Sequence, residues 1–142
     1  MRYLGLDVGE RHIGLAVGEL LASELTTLNA AKDQSFYQSP EEAFTSIEKL
    51  VQSEQADAVV IGLPVSEDGH LTDEAKAIKR FGDQLSHRLD KTIHYVNETL
   101  SSFMAADILE SQGLSVAAAR QREHQLAAQL ILQQFLEENG DS

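Results

Sequence analysis

The fold is decided near the amino terminus, where residues 3–17 read YLGLDVGERHIGLAV. Two short apolar runs, Tyr3–Val8 and Ile13–Val17, flank a glycine-containing polar turn, and this pattern predicts a β-hairpin. A third strand is predicted at Ser23–Leu28. Strands joined by such short turns pair antiparallel, so the chain should open with three antiparallel strands.

The middle of the chain alternates predicted helices and strands. Ser39 as N-cap, Pro40 at the first helical position and a following glutamate suggest a capping box, so a helix should begin at about Pro40. A second amphipathic helix is predicted at Thr72–Leu89, and strands are predicted at Ala56–Leu63 and Ile93–Val96. Strands separated by helices of this length pair parallel.

The carboxyl-terminal part is predicted to be helical, at Ser101–Ser111 and again at about Gln121–Glu138. The complete order is βββαβαβ followed by helices. It predicts an α/β fold with a mixed five-stranded sheet, in which the first three strands are antiparallel and the last two parallel. We expect one domain over residues 1–138 and a short acidic tail at 139–142.

Composition limits the classes of protein to which the chain can belong. Its 142 residues are 42% hydrophobic, which suits one ordinary core. Eleven basic against 23 acidic residues leave a net charge of −12, which opposes the attraction that dominates most nucleic-acid binding. The chain has no cysteine and no apolar run near the length that spans a bilayer. We therefore expect a cytoplasmic protein without disulfides and without a membrane partner.

Two carboxylates stand where chemistry is expected. Asp7 lies inside an apolar strand, where an unpartnered carboxylate is costly to bury, so it is either a metal ligand or the start of the turn. Glu98 follows a predicted parallel strand, and ligand sites in such sheets form beyond the carboxyl ends of the strands. Its alternative is a solvated glutamate in the first turn of a helix.

A polar loop follows the strand that ends near Leu63. The stretch Gly62–Gly69 contains a proline and ends in Asp68 and Gly69. It is either a binding loop on a rigid scaffold or a plain connection in which glycine and proline stop the strand.

Four blocks in a fixed order carry a resemblance to a known family. The blocks are 7–17 (DVGERHIGLAV), 60–64 (VIGLP) with Asp68-Gly69, 97–102 (NETLSS) with Ala105, and 126–128 (LAA) with Ile131-Leu132. Together they resemble the YqgF-type family of Holliday-junction resolvases and ribosomal-RNA precursor nucleases. The resemblance covers nearly the whole chain.

The resemblance implies a ribonuclease H-like fold and a metal-dependent phosphodiesterase that uses Mg²⁺ or Mn²⁺ in small-subunit ribosomal RNA maturation. Asp7 matches the first acidic residue of the family and Glu98 the second. The third is an aspartate at the start of the last helix, and alignment on residues 126–128 places His124 there, with Glu123 as the other candidate. Asp7, Glu98 and His124 are thus the expected catalytic and metal-binding residues. An imidazole ligand suits Mn²⁺ better than Mg²⁺.

Other departures concern residues that would hold the substrate. Asn97 and Thr99 replace the usual aspartate and arginine around Glu98. The basic residues expected to contact nucleic acid are Arg11, Arg120 and Arg122, and binding should be weak and salt-sensitive. The expected partner is structured or single-stranded RNA, or branched DNA, bound by a monomer or homodimer.

Three further functions compete with an RNA nuclease. A junction-cutting DNA nuclease would use the same chemistry. A catalytically weakened family member would serve as a ribosomal-RNA-binding or assembly factor, which the replaced third acid and the acidic balance favour. Actin-like ATPases and sugar kinases share the D-x-G hairpin start but need two lobes, which 142 residues cannot supply.

Overall fold

The computed structural model describes residues 1–66, 68–98, 108, 111–113 and 116–139, with side chains in the last range from residue 122 onward. The strands are β1 (Tyr3–Val8), β2 (His12–Gly18), β3 (Ala22–Asn29), β4 (Ala58–Leu63) and β5 (Thr92–Asn97). The helices are α1 (Glu41–Ser53), α2 (Asp73–Leu89) and α3 (Val116–Asn139).

The five strands form one mixed sheet in the order β3-β2-β1-β4-β5. β1 pairs antiparallel with β2, and β2 pairs antiparallel with β3. β4 inserts parallel to β1 and β5 parallel to β4. The predicted hairpin, the antiparallel and parallel parts of the sheet and the order of elements are confirmed.

The sheet is covered on both faces. Alternate residues of β1, among them Leu4 and Leu6, point to the face packed by α1 and α2 and are fully buried there. On the opposite face Val60 packs with Ile131 and Leu132 of α3. Because successive residues of a strand point to opposite faces, this alternation places Gly5 and Asp7 on the α3 side.

α3 lies close on β1 and β2 because both strands carry glycine under it. A Cβ on Gly5 would stand 2.7 Å from the Cβ of Leu132, and one on Gly14 would overlap the backbone carbonyl of His124. The absence of these two side chains lets the helix backbone approach the sheet.

One predicted cap and one predicted helix start are wrong. α1 begins at Glu41, in agreement with the predicted start at about Pro40, but its N-cap is Pro40 without a side-chain cap, so the predicted capping role of Ser39 is wrong. The last helix begins at Val116, five residues before the predicted Gln121. α2 instead begins as predicted, since the hydroxyl of Thr72 accepts from the amide of Ala75.

The ends of the other predictions fall partly outside the described residues. Most of the predicted helix at 101–111 lies there. α3 continues to Asn139, one residue into the predicted acidic tail, and the rest of that tail is not described. Among the described residues, no helix combines the length and the apolar composition that crossing a bilayer requires.

Candidate functional site

The carboxyl ends of β1, β4 and β5 meet at one edge of the sheet. Asp7 is the second-last residue of β1, and its side chain is only 12% exposed. Glu98 follows β5 directly, and its amide donates to the carbonyl of Leu63 at the end of β4 (3.1 Å). This hydrogen bond continues the parallel ladder by one residue and holds Glu98 at the edge.

Glycine on β4 makes room for the side chain of Glu98. A Cβ on Gly62 would stand 2.9 Å from Oε2 and 3.0 Å from Cβ of Glu98. The parallel register pairs Leu6 with Ile61, so Gly62 is the neighbour of Asp7 on the next strand. Glu98 therefore folds over β4 toward Asp7.

Burial and charge make Glu98 the most perturbed acid of the site. Burial, followed by repulsion from Asp7 and a hydrogen bond between the two carboxyls, raises the pKa of Glu98 to about 8, and Glu74 raises it further. Its Oε2 atom is buried without a hydrogen-bond partner among the described residues. A buried carboxylate oxygen without a donor usually indicates a missing proton, water or ion.

His124, near the start of the described side chains of α3, lies close to Asp7. Its Nδ1 atom lies 3.9 Å from Oδ2 of Asp7. The imidazole stacks on that of His12, with ring centroids 4.6 Å apart. The structure thus brings Asp7, Glu98 and His124 to the same edge of the sheet, while Glu123 lines a groove beside His124.

The three residues do not yet form a closed coordination shell. Within the described part of the chain, no three His, Asp or Glu side chains stand close enough together to hold one metal ion. Asp7 instead has a separate contact to each of the other two.

Two residues near the site were missed by the sequence analysis. The hydroxyl of Tyr37, in the connection before α1, is buried without a hydrogen-bond partner among the described residues. Burial first, and then the charges of Glu74, Glu10, Asp7 and Glu98, raise the pKa of Tyr37. No periodicity marks Tyr37, and Glu74 looks like an ordinary acidic residue of a first helical turn.

The expected basic residues have different environments. Arg11 is exposed and donates to the carbonyl of Gln34 (2.8 Å), which fixes the connection after β3. Arg122 forms an ion pair with Glu24 (2.7 Å), so its charge is largely neutralised. Arg120 lies in α3, with its side chain outside the description.

The loop and the residues around Glu98 complete the account of the predicted positions. In the loop after β4, Asp68 accepts from the hydroxyl of Ser66, and this bond lowers the pKa of Asp68. Asn97 ends β5, where its carbonyl accepts from Gln134 (3.4 Å). Thr99 lies outside the described residues.

Comparisons with a family model and with known proteins both find similarity to nucleases. A family model described as RuvX, Holliday junction resolvase, matches residues 1–138. A protein of Chloroflexus aurantiacus named "Putative pre-16S rRNA nuclease" is 37% identical over 94% of this chain and 85% of its own. A Crocosphaera subtropica protein of the same name is 38% identical over 98% of this chain and 94% of its own.

Solved structures support the fold. Thermus thermophilus RuvC, in complex with a Holliday junction substrate, superposes with a TM-score of 0.64 at 15% identity, covering 99% of this chain and 96% of its own. The fowlpox virus Holliday junction resolvase superposes with a TM-score of 0.57 at 9% identity, covering 97% and 99% of the two chains. At these identities the likeness concerns the fold, and the ribonuclease H-like prediction is confirmed.

Proposed function

The chain belongs to the RuvX family, and from this membership we propose that it hydrolyses phosphodiester bonds in precursor ribosomal RNA. The two relatives described above, both named as pre-16S rRNA nucleases, match this chain over 85% and 94% of their own length. The likeness to resolvases makes branched DNA the closest alternative substrate.

The observation that carries the proposal is the pairing of Asp7 with Glu98. Two partly buried carboxylates repel each other when both are ionised, so a positive partner that offsets this repulsion would stabilise the pair. The orphaned Oε2 of Glu98 supplies a free acceptor for that partner. A structural role would instead give each carboxylate its own donors.

A divalent cation fits this donor set. Mg²⁺ is commonly held by one or two carboxylates together with water and substrate phosphate, and Asp7 and Glu98 would provide those carboxylates. When bound, the cation would neutralise charge on the phosphate and lower the pKa of a bound water. His124 would act beside Asp7, either as a further ligand or as a group that orients the Asp7 carboxylate. The imidazole favours Mn²⁺ over Mg²⁺.

The charge of the protein limits how it meets a polyanion. A net charge of −12 repels nucleic acid except where cations gather. Exposed Arg11 lies in the turn between β1 and β2, next to the site edge, and Arg120 lies near the start of α3, whereas Arg122 is already paired with Glu24. We expect weak binding that falls steeply with salt. Precursor ribosomal RNA as substrate implies action in the cytoplasm.

Metal-dependent cleavage tests the proposal directly. Purified protein is incubated with labelled precursor RNA and with four-way junction DNA, each with Mg²⁺, Mn²⁺ or a chelator. We expect RNA cleavage that requires the metal and is absent in Asp7→Asn. Cleavage of the junction alone would move the assignment to a DNA resolvase.

A second function is favoured by one feature of the site. The resemblance places His124 where the family carries a third acid, and the described residues do not assemble a three-ligand group. A family member without activity would bind ribosomal RNA as an assembly factor. RNA binding without cleavage by either metal would support that function.

A further inference from the structure

A groove of about 710 Å³ opens beside His124, on the α3 side of β2 and β3. It is lined by His12, Thr26, Thr27, Asn29, Glu123, His124 and Gln125. Its size is within the range of small-molecule sites. Because His124 also contacts Asp7, the groove begins at the candidate catalytic edge.

The wall of the groove is an ordered pair of imidazoles. The rings of His12 and His124 are stacked, with centroids 4.6 Å apart and an interplanar angle of 23°. Nδ1 of His12 lies 2.7 Å from Oδ1 of Asn29, its cross-strand partner. His12 is exposed. An exposed ring normally loses rotamer entropy when it binds a ligand, but the contacts with Asn29 and His124 already restrict this ring.

The polar groups of the groove suit an uncharged ligand. Its described lining contains no Lys or Arg and does contain Glu123, so a phosphate group would be repelled there. The hydroxyl of Thr27 donates to the side-chain oxygen Oε1 of Gln125 (3.1 Å), and both groups can exchange that bond for one to a ligand. A flat heteroaromatic ring with donors and acceptors at its edge matches both the stack and the lining.

We propose that this groove is a nucleobase subsite, in which a base next to the phosphodiester held at Asp7 and Glu98 extends the stack of His12 and His124. The inference rests on the proposed nuclease function. In this subsite the bases supply the affinity, because base–aromatic stacking is largely independent of electrostatic attraction. The protein as a whole, with a net charge of −12, does not attract a polyanion.

Equal charge with and without bases isolates the stacking contribution. Two single-stranded DNA oligonucleotides of about ten nucleotides are compared in chelator at low salt, one with adenine bases and one fully abasic. We expect wild type to bind the adenine oligonucleotide roughly tenfold more tightly. His12→Ala should bring that ratio close to one, and His12→Phe should restore it. An RNA version of the adenine oligonucleotide shows whether the sugar contributes.

Controls separate this inference from a general loss of binding. His87→Ala removes an exposed histidine of α2 and should leave the ratio unchanged. Equal binding of both oligonucleotides by wild type, absence of binding to either, or an equal loss on both in His12→Ala would overturn the subsite. Metal-dependent cleavage is scored separately, so base discrimination without cleavage contradicts only the nuclease function, and cleavage without discrimination contradicts only the subsite.

Discussion

Gly14 of β2 lies directly under the backbone carbonyl of His124, and a Cβ on Gly14 would overlap that oxygen. Gly14 is also the cross-strand partner of Asp7. The part of α3 around His124 therefore packs on the pair of strands, β1 and β2, that carries Asp7. This close approach brings the imidazole of His124 to Asp7.

Gly14→Ala should displace α3 from the sheet. The overlap involves backbone atoms of the helix, which cannot rotate away, so we expect a loss of about 3 kcal/mol in the free energy of unfolding. Thermal or urea denaturation measures it. Gly69→Ala is the matched control: Gly69 has a φ of +84° but no described atom within 4 Å of an added Cβ, so only backbone strain of about 1 kcal/mol is expected. Equal effects of the two substitutions would contradict the close-packing explanation.

Asp7→Asn should abolish cleavage without unfolding the protein. Removing one of two neighbouring charges relieves repulsion on Glu98, so the metal-free variant should melt at the wild-type temperature or about 2–4 °C above it. Activity and melting are measured on the same preparation. A large fall in melting temperature would identify Asp7 as a structural acceptor.

Glu98 should make the metal-free protein less stable as pH rises. Its pKa is raised in the folded state, so the folded form binds the proton more tightly than the unfolded form. Its contribution is complete below the unfolded pKa of about 4.5 and is lost as pH rises through about 8. The free energy of unfolding should differ less between pH 5 and pH 9 in Glu98→Gln than in the wild type, by roughly 1–3 kcal/mol. Urea denaturation in the presence of a chelator measures both proteins. An unchanged difference would show that Glu98 is not the responsible group.

His124→Asp should increase cleavage with Mg²⁺. A carboxylate gives Mg²⁺ a hard oxygen ligand and one more negative charge, which imidazole does not. In the wild type, Mn²⁺ should support more cleavage than Mg²⁺. If the wild type is inactive with both metals and His124→Asp is active, the protein is a nuclease that has lost its activity. If both proteins are inactive but folded, the loss lies elsewhere, and Thr99 is the first residue to replace by arginine.

Tyr37→Phe should leave the protein as stable as the wild type or up to about 1 kcal/mol more stable. The hydroxyl of Tyr37 is buried without a described partner, so its removal ends a desolvation cost and breaks no hydrogen bond. Tyr95 offers the contrast, because its hydroxyl donates to Asp83 (2.8 Å). Tyr95→Phe should lose about 1 kcal/mol. Urea denaturation compares the two, and destabilisation of Tyr37→Phe equal to that of Tyr95→Phe would show that Tyr37 has a partner.

The sequence by itself determined the hairpin, the two parallel strands and the order of elements. These depend on periodicity and turn chemistry, which act over a few residues. The position of Glu98 beyond a parallel strand was predictable for the same reason. The cap of α1 shows the limit of local signals, because Ser39 has the right chemistry for a cap but the N-cap is Pro40, without a side-chain hydrogen bond.

Only the tertiary structure decided which side chains meet at the site. The approach of His124 to Asp7 depends on glycine under α3, and the burial of Glu98 depends on Gly62 of another strand. Tyr37 and Glu74 join the acids from connections and helix starts whose local pattern is ordinary. Such contacts are set by the packing of distant segments, and desolvation and repulsion between charges act through space, so no spacing along the chain records them.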